Sequence, residues 1–327
     1  MALEIISPGL STTVQDRGRN GHYNVGIPQS GFLDRYSAEL ANALVGNQTP
    51  EGPGLAALEC SYMGPSFKAT KDTVIAVTGA PVEIKVNGLP AQQWSRIQLA
   101  PGDFVTFGAV KSGIRFYIGV RGGIDVPLAL GSRSTYALGG IGGLDGRKLQ
   151  AGDVLPTGRE TAKLPSEDTV PEEHRPIFGG EQTVRVLMGL YEHRLTDSGR
   201  ETFLNERWIL TPVADRMGLR YSGPGVEWKS RVQPFGAGAD PSNIVDAGYA
   251  VGSIQIPGGT QPIILHRDAV SGGGYATVGT VISADMDLVA RASPGTITHF
   301  TEVTMAEALQ ARKRNREQLE KALAALN

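Results

Sequence analysis

Cysteine, clustered histidine and an excess of either charge are what this chain does without. Its single cysteine, Cys60, excludes an internal disulfide and fits a reducing compartment. Five histidines, at His22, His174, His193, His266 and His299, stand apart with no H-x-x-x-H spacing, so no dedicated metal site is expected. Basic and acidic residues nearly cancel, 31 against 33, which leaves no basic surplus for nucleic acid and no polyionic tail. No apolar run approaches the ~18 residues of a membrane-spanning helix. The start, Met1-Ala2-Leu3-Glu4, has an acid where a signal peptide needs a basic residue. These absences predict a cytoplasmic protein whose partners include neither nucleic acid nor membrane. Nucleotide and nucleophile signatures are missing too: there is no GxxxxGK[ST] and no G-x-S-x-G elbow.

Glycine is what the chain has in quantity, 43 among 327 residues. The densest block runs Val120-Arg121-Gly122-Gly123-Ile124-Asp125-Val126-Pro127, then Gly131-Ser132-Arg133-Ser134-Thr135, then Gly139-Gly140-Ile141-Gly142-Gly143-Leu144-Asp145-Gly146-Arg147. Glycine costs backbone entropy on folding, so its repetition implies tight turns or close approach. Strand patterns surround the block. Val74–Thr78, Val82–Val86, Trp94–Leu99, Asp103–Phe107 and Ile114–Val120 are short apolar runs, with Asn87-Gly88 marking a hairpin. Strands resume at Val184–Met188, Trp208–Thr211, Ile254–Ile256, Ile263–Leu265 and Thr277–Ile282. Short strands at this spacing predict a mainly β fold of barrels or sandwiches. Two helices are expected. Asp34–Val45 has Asp34 as cap and Gly46-Asn47 as stop; the closing helix has Thr304 and Glu307 in capping-box positions. Its middle, Gln310–Gln318, is polar on every side and is expected to project. The proline-rich stretch Thr157–Pro176 reads as a linker. The expected domains are therefore 1–160, 177–303 and a terminal helix at 304–327.

Several segments carry candidate chemistry, each with a bland alternative. Gln15-Asp16-Arg17-Gly18-Arg19 and Gly26–Asp34 form either an anion-binding loop at a helix start or a turn in which Asp34 caps and Asp16 pairs with an arginine. Ser132 and Arg133 either orient substrate oxygens or belong to connecting loops, with Arg147 in a structural ion pair. Asp215-Arg216 is either a surface pair or a buried polarising one. In His266-Arg267-Asp268, followed by Gly272-Gly273-Gly274, Asp268 is a candidate base and the glycine amides a candidate oxyanion site. The alternative there is a tight β turn. Cys60 reads as a small buried hydrophobe.

Taken together, these strings resemble the allophanate hydrolase subunit 2 family, also called KipA/PxpC, which includes the second half of the urea carboxylase carboxyltransferase domain. The resemblance rests on Gln15–Arg19, Gly26–Asp34, Ala41-Asn42 with Gly46-Asn47, Leu58-Glu59 with Gly64-Pro65, Gly122–Pro127, Gly131–Thr135, Gly142–Arg147, Asp215–Gly218, Gln261-Pro262-Ile263 and Gly273-Gly274-Tyr275. Pro241-Ser242-Asn243 with Asp246 looks like the urea-carboxylase pattern, and Gly273-Gly274-Tyr275 like the PxpC pattern. Ala214 stands where the family has serine.

The resemblance implies two cyclophilin-like β-barrel domains with a C-terminal helix, and a companion of the allophanate hydrolase subunit 1 (KipI/PxpB) type. The implied reaction is transfer of a carboxyl group from carboxybiotin to urea or a related amide. No lysine here sits in an Ala-Met-Lys-Met setting, so biotin would arrive on a separate carrier protein. The alternatives are an ATP-dependent 5-oxoprolinase subunit, working with a PxpA-type protein, and a non-catalytic KipA-type partner of a kinase inhibitor. ATP enters only in the 5-oxoprolinase case. For carboxyl transfer the expected roles are Arg133 and Arg216 on carboxylate or ureido oxygens, Asn243 and Gln255 for amide recognition, and Asp268 or Asp34 as proton acceptor. Asp215, Ser132, Gly273 and Gly274 complete the expected site.

Overall fold

The computed structural model describes residues 2–47, 49, 52–160 and 162–327. Met1 of the amino-terminal stretch and Thr161 of the proline-rich stretch thus lie outside the described residues. The fold is mainly β. The chain divides into two compact units: one of Met1–Arg19, Ser30–Phe178 and Glu317–Asn327, the other of Asn20–Gln29 and Gly179–Arg316.

In the first unit the strands form two sheets. One is ordered Val154–Leu155, Leu3–Ser7, Ser66–Ala69, Phe104–Phe107, Ile84–Val86, Leu89–Ala91; the other Ser11–Gln15, Ala57–Ser61, Arg115–Val120, Thr73–Gly79, Arg96–Leu99. Both contribute to one core: Leu3, Ile5, Phe67 and Val105 from the first sheet meet Leu58, Cys60, Ile75 and Phe116 from the second. The hairpin forms where Asn87-Gly88 predicts it, with φ of 52° and 83° at the two turn residues, the left-handed pair that matches strand twist. Burial raises the Cys60 thiol pKa well above its ordinary value, which keeps it a packing group.

Helix α1 spans Arg35–Leu44. Asp34 caps it: one carboxylate oxygen accepts the Ser37 N–H at 3.2 Å and the other the Ser37 hydroxyl at 2.6 Å. Leu40, Leu44 and Val45 are buried with Tyr36 and Val170. Asn47, just past the helix, donates to Val120 O at 2.7 Å and accepts the Gly122 N–H at 2.8 Å, so the helix exit holds the start of the glycine block.

The proline-rich stretch is not a tether. Arg96 N–H donates to Asp168 O and Val170 N–H to Trp94 O, and Val170 is fully buried. Burying Val170 and pairing these amides fixes the stretch on the first unit, whatever its prolines suggest.

Arg147 ends the glycine block in the structural ion pair that its surroundings suggest. Its guanidinium grips Asp153 at 2.8 and 2.9 Å. That bond, with the Gln150 N–H, holds the Asp153 carboxyl below its usual pKa. A carboxylate with a depressed folded pKa stabilises above its unfolded value, near ~3.9, and loses that contribution as pH falls through the folded one. Asp153→Asn is therefore expected to flatten the fall of Tm below about pH 4 while leaving its slope at neutral pH unchanged, as read by thermal melts across the acid range.

The second unit is a closed barrel of seven strands, in the order Glu181–Met188, Thr277–Val281, Ser253–Gln255, Ile263–Leu265, Gly218–Ser222, Trp208–Ala214, Ile297–Glu302. Only the closing pair, Glu181–Met188 with Ile297–Glu302, is parallel among the described pairings. Its core stacks Phe203 on Phe300 at 4.7 Å, with Trp208 and Tyr221 beside them. Barrel closure is thus observed in this unit, whereas the first shows two sheets. Two helices that the sequence patterns did not show lie here, α2 (Asp197–Asn205, capped by Thr196) and α3 (Met286–Arg291). Both are too short for an apolar stripe to stand out.

Helix α4 spans Met305–Ala324 and opens with the capping box: Thr304 N–H reaches Glu307 at 2.8 Å, and Glu307 N–H reaches the Thr304 hydroxyl at 3.3 Å. Its middle does not project. Ala308 and Ala311 pack against Ile282, and Asn315 donates to Ala284 O at 3.0 Å. Two alanines among long polar side chains are a narrow contact strip that hydrophobicity alone underrates. Residues 305–316 belong to the second unit and 317–327 to the first.

Candidate substrate site

In the first unit the sequence candidates converge on Asp16. It is fully buried. Its carboxylate accepts the Ser132 hydroxyl at 2.6 Å, the Ser134 hydroxyl at 2.5 Å, the Arg133 N–H at 2.6 Å and the Gly18 N–H at 2.8 Å. The expected arginine partner of Asp16 is replaced by hydroxyls and amides; Arg17 instead holds Glu39 at 2.6 Å. Gln15 adds a bond from its amide to Thr135 O and accepts the Gly31 N–H, both at 3.1 Å. The Gln15-Asp16 pair therefore stitches the Gly131–Thr135 loop to the start of the helix segment. Gly142 allows this loop to fold tightly, since a Cβ there would fall 2.1 Å from Ser134 O.

These bonds engage the groups expected to bind substrate. The Ser132 hydroxyl serves Asp16, and Arg133 spans Val126 O at 2.9 Å and Asp125 at 2.7 Å. Asp34 is the helix cap, and its N–H donates to the Tyr117 hydroxyl at 2.8 Å. That hydroxyl donates to Glu59 at 3.0 Å, and burial, then the Glu59 charge, raises its pKa far above the ordinary value.

In the second unit two residues 52 apart in sequence meet. Arg216 grips Asp268 through Nε at 2.8 Å and Nη2 at 3.1 Å, and Asp268 N–H donates to Arg216 O at 2.9 Å. Both side chains are largely buried, 17% and 8% exposed, so this is a bidentate pair shielded from solvent. Asp215, expected beside Arg216 in an ion pair, is exposed and accepts the Met217 and Gly218 N–H groups at 2.7 and 3.1 Å, forming the turn. His266 is buried and its Nδ1 accepts the Arg267 N–H at 2.9 Å, which leaves the ring proton on Nε2.

Asn243, Gly273 and Gly274 come together on a two-stranded ribbon, Asn243–Gly248 against Gly272–Tyr275, with Asn243 opposite Tyr275 and Ala247 opposite Gly273. Tyr249 pins the ribbon: its hydroxyl donates to Tyr275 O at 3.0 Å and accepts the Tyr275 N–H at 2.8 Å. Gln255, 5% exposed on a barrel strand, lies beside that hydroxyl and lowers its pKa, and among the described residues its Nε2 has no well-formed hydrogen bond.

Two residues that sequence reading passed over join this ribbon. Arg194 donates to Asn243 O at 3.3 Å and lies 4.5 Å over the Tyr191 ring; Gln233 donates to the same carbonyl at 3.3 Å. Burial, then the nearby Arg231, lowers the Arg194 pKa. Arg194 Nε and Gln233 Oε1 are buried without hydrogen-bond partners among the described residues. Neither residue sits in a motif. The only signal was the turn-rich Pro234-Phe235-Gly236-Ala237-Gly238 run preceding Pro241-Ser242-Asn243. Two buried donors and one buried acceptor without partners gather around the Asn243–Tyr275 pair, and a planar carboxamide or ureido group presents the complementary pattern. Among the described residues no cluster of His, Cys, Asp and Glu is arranged to hold a metal ion, and no helix is long and apolar enough to cross a membrane.

The second unit thus combines a closed β barrel with a two-stranded ribbon around which Asn243, Arg194 and Gln233 meet. Residues 25–302 match the family described as carboxyltransferase domain, subdomain A and B. The chain belongs to that family. It is 33% identical over 311 residues to the 5-oxoprolinase C subunit of Escherichia coli, covering 95% of this chain and 94% of that protein. It is 34% identical over 324 residues to urea amidolyase of Lachancea kluyveri, covering 95% of this chain and 17% of that protein. The crystal structure of the K. lactis urea amidolyase superposes with a TM-score of 0.90 at 34% identity, over 98% of this chain and 20% of that one. The chain thus spans about a fifth or less of the urea amidolyases it matches.

Proposed function

We propose that this chain is a carboxyltransferase-type subunit that processes a small amide, with the Asn243 ribbon as its recognition site. The kinship with urea amidolyase and with the 5-oxoprolinase C subunit supports an amide or lactam as substrate. The observation that carries the reading is Gln255: a carboxamide 5% exposed whose Nε2, with only the Tyr249 hydroxyl beside it, makes no well-formed hydrogen bond among the described residues. An unmade buried hydrogen bond costs roughly 1–3 kcal/mol, and a substrate carbonyl recovers it. Gln233 Oε1 is matched to the substrate N–H, and Arg194 Nε to the second lone pair of that same carbonyl oxygen. The Gly273 and Gly274 amides line the same ribbon.

The same donor and acceptor set fits the ureido ring of biotin, borne on a separate carrier. When bound, carboxybiotin supplies the carboxyl group as CO₂. The chain's own part is to hold the amide planar, donate to oxygens that gain charge as the amide nitrogen forms its bond to carbon, and keep water out. The nitrogen loses its proton to a carboxylate. Asp246, exposed on the ribbon and near the Tyr249 ring, joins Asp268 as a candidate within this unit; unlike Asp268, it is not placed in the bidentate bonds described above. The companion subunit, the biotin carrier and the two cyclophilin-like domains remain part of this proposal, as does 5-oxoproline opening with ATP as its second form.

The test is Gln255→Leu in the chain reconstituted with its companion, assayed with carboxybiotin carrier and urea, and separately with 5-oxoproline and ATP. Losing one substrate hydrogen bond is expected to cut kcat/KM by about 10- to 100-fold in whichever assay turns over, with Tm unchanged or raised. Undiminished turnover in the variant would sink the assignment of the ribbon. Absence of turnover in both assays, with a tight complex, would favour a regulatory partner.

A further inference from the structure

The second unit also carries a groove of about 410 Å³ that shares none of the ribbon residues. Leu187, Val281, Met286 and Leu309 give it an apolar floor. Arg267, Arg312, Gln29 and Ser283 supply its polar groups, and no aspartate or glutamate is among its lining residues. The first turns of α4 leave Met305 and Leu309 60% and 47% exposed on one side of it.

We propose that this groove binds a small organic carboxylate with an apolar body of about eight carbons. Three observations converge on that class. The lining is mostly apolar with a few polar groups, the pattern of small-molecule sites, and the volume falls in their range of ~300–1,000 Å³. The lining holds no acid, and Arg312, with Arg267 (which also lies beside Tyr23) as a second positive charge, favours an anion; a guanidinium fork matches a carboxylate in shape. Met286 and Met305 adapt to aliphatic chains of varied shape. A protein segment is a poorer fit, since a stable protein interface needs ~1,200 Å² or more of buried surface. The inference stands apart from the amide reading, because no residue is common to the two sites.

Octanoate titrated into the purified full-length chain by calorimetry tests it. Saturable one-to-one binding with a dissociation constant on the order of 0.1 mM is expected for a ligand of this size. Octanol should bind at least tenfold more weakly and octyltrimethylammonium not at all. Arg312 is exposed on α4, so Arg312→Glu is expected to keep its Tm and weaken octanoate binding at least tenfold. Leu309→Asp attacks the apolar floor instead and should do the same. Equal affinity in wild type and both variants, equal affinity for octanol and octanoate, or no saturable heat up to about 10 mM octanoate would overturn the proposal.

Discussion

Asp16→Ala is expected to be the most destabilising single change in the first unit. The carboxylate accepts four hydrogen bonds, two from serine hydroxyls and two from backbone amides, with no solvent exposure. Removing it strands donors that no water reaches. Each buried donor left without a partner costs ~1–3 kcal/mol, but losses within one network are not additive, so the total is placed at about 3–5 kcal/mol. Because three of the donors lie in Ser132–Ser134, hydrogen exchange should speed first in that loop. Asp16→Asn keeps the shape and one carbonyl acceptor, so it is expected to lose less. A melting shift of only a degree or two in Asp16→Ala would show that the loop is held by other means.

How much of this was legible depended on range. Local chemistry read directly. Asn87-Gly88 makes its hairpin, Asp34 caps α1, and Thr304 with Glu307 closes the α4 start, because each of these signals acts within about four residues. Contacts at long range did not. Arg216 and Asp268 were each singled out, yet nothing in their local sequence says that barrel strands carry their turns together. Asp16 drew an arginine as its expected partner because charge suggests charge, whereas three of its four neutral donors came from a loop over a hundred residues away. Arg194 and Gln233 were illegible in a stronger sense. Their interest lies in bonds not made, and an unmet donor has no sequence pattern. The proline-rich stretch misled for the opposite reason: composition describes an isolated chain, and the burial of Val170 decides the matter in the folded one.

Arg216 and Asp268 set the second large expectation, and it separates a base from a brace. If Asp268 took a proton from substrate, Asp268→Asn would keep the fold and lose turnover by ~10²- to 10⁴-fold, the usual worth of general base catalysis. The geometry argues for the brace. Both carboxylate oxygens face Arg216, at 2.8 and 3.1 Å, and the backbones of the same two residues are bonded at 2.9 Å. Asp268→Ala leaves the guanidinium in its largely buried place and is expected to cost about 2–4 kcal/mol, slightly below the range for fully buried pairs because Arg216 retains some exposure. Arg216→Ala should cost a similar amount. Arg216→Leu combined with Asp268→Leu should cost much less than the two alanine losses summed, since no unpaired charge remains. Turnover should then follow melting temperature across the set and recover in part in the double variant. An Asp268→Asn protein that melts like wild type but has lost its turnover would instead make Asp268 the proton acceptor, and the ribbon would have to share its chemistry with this pair.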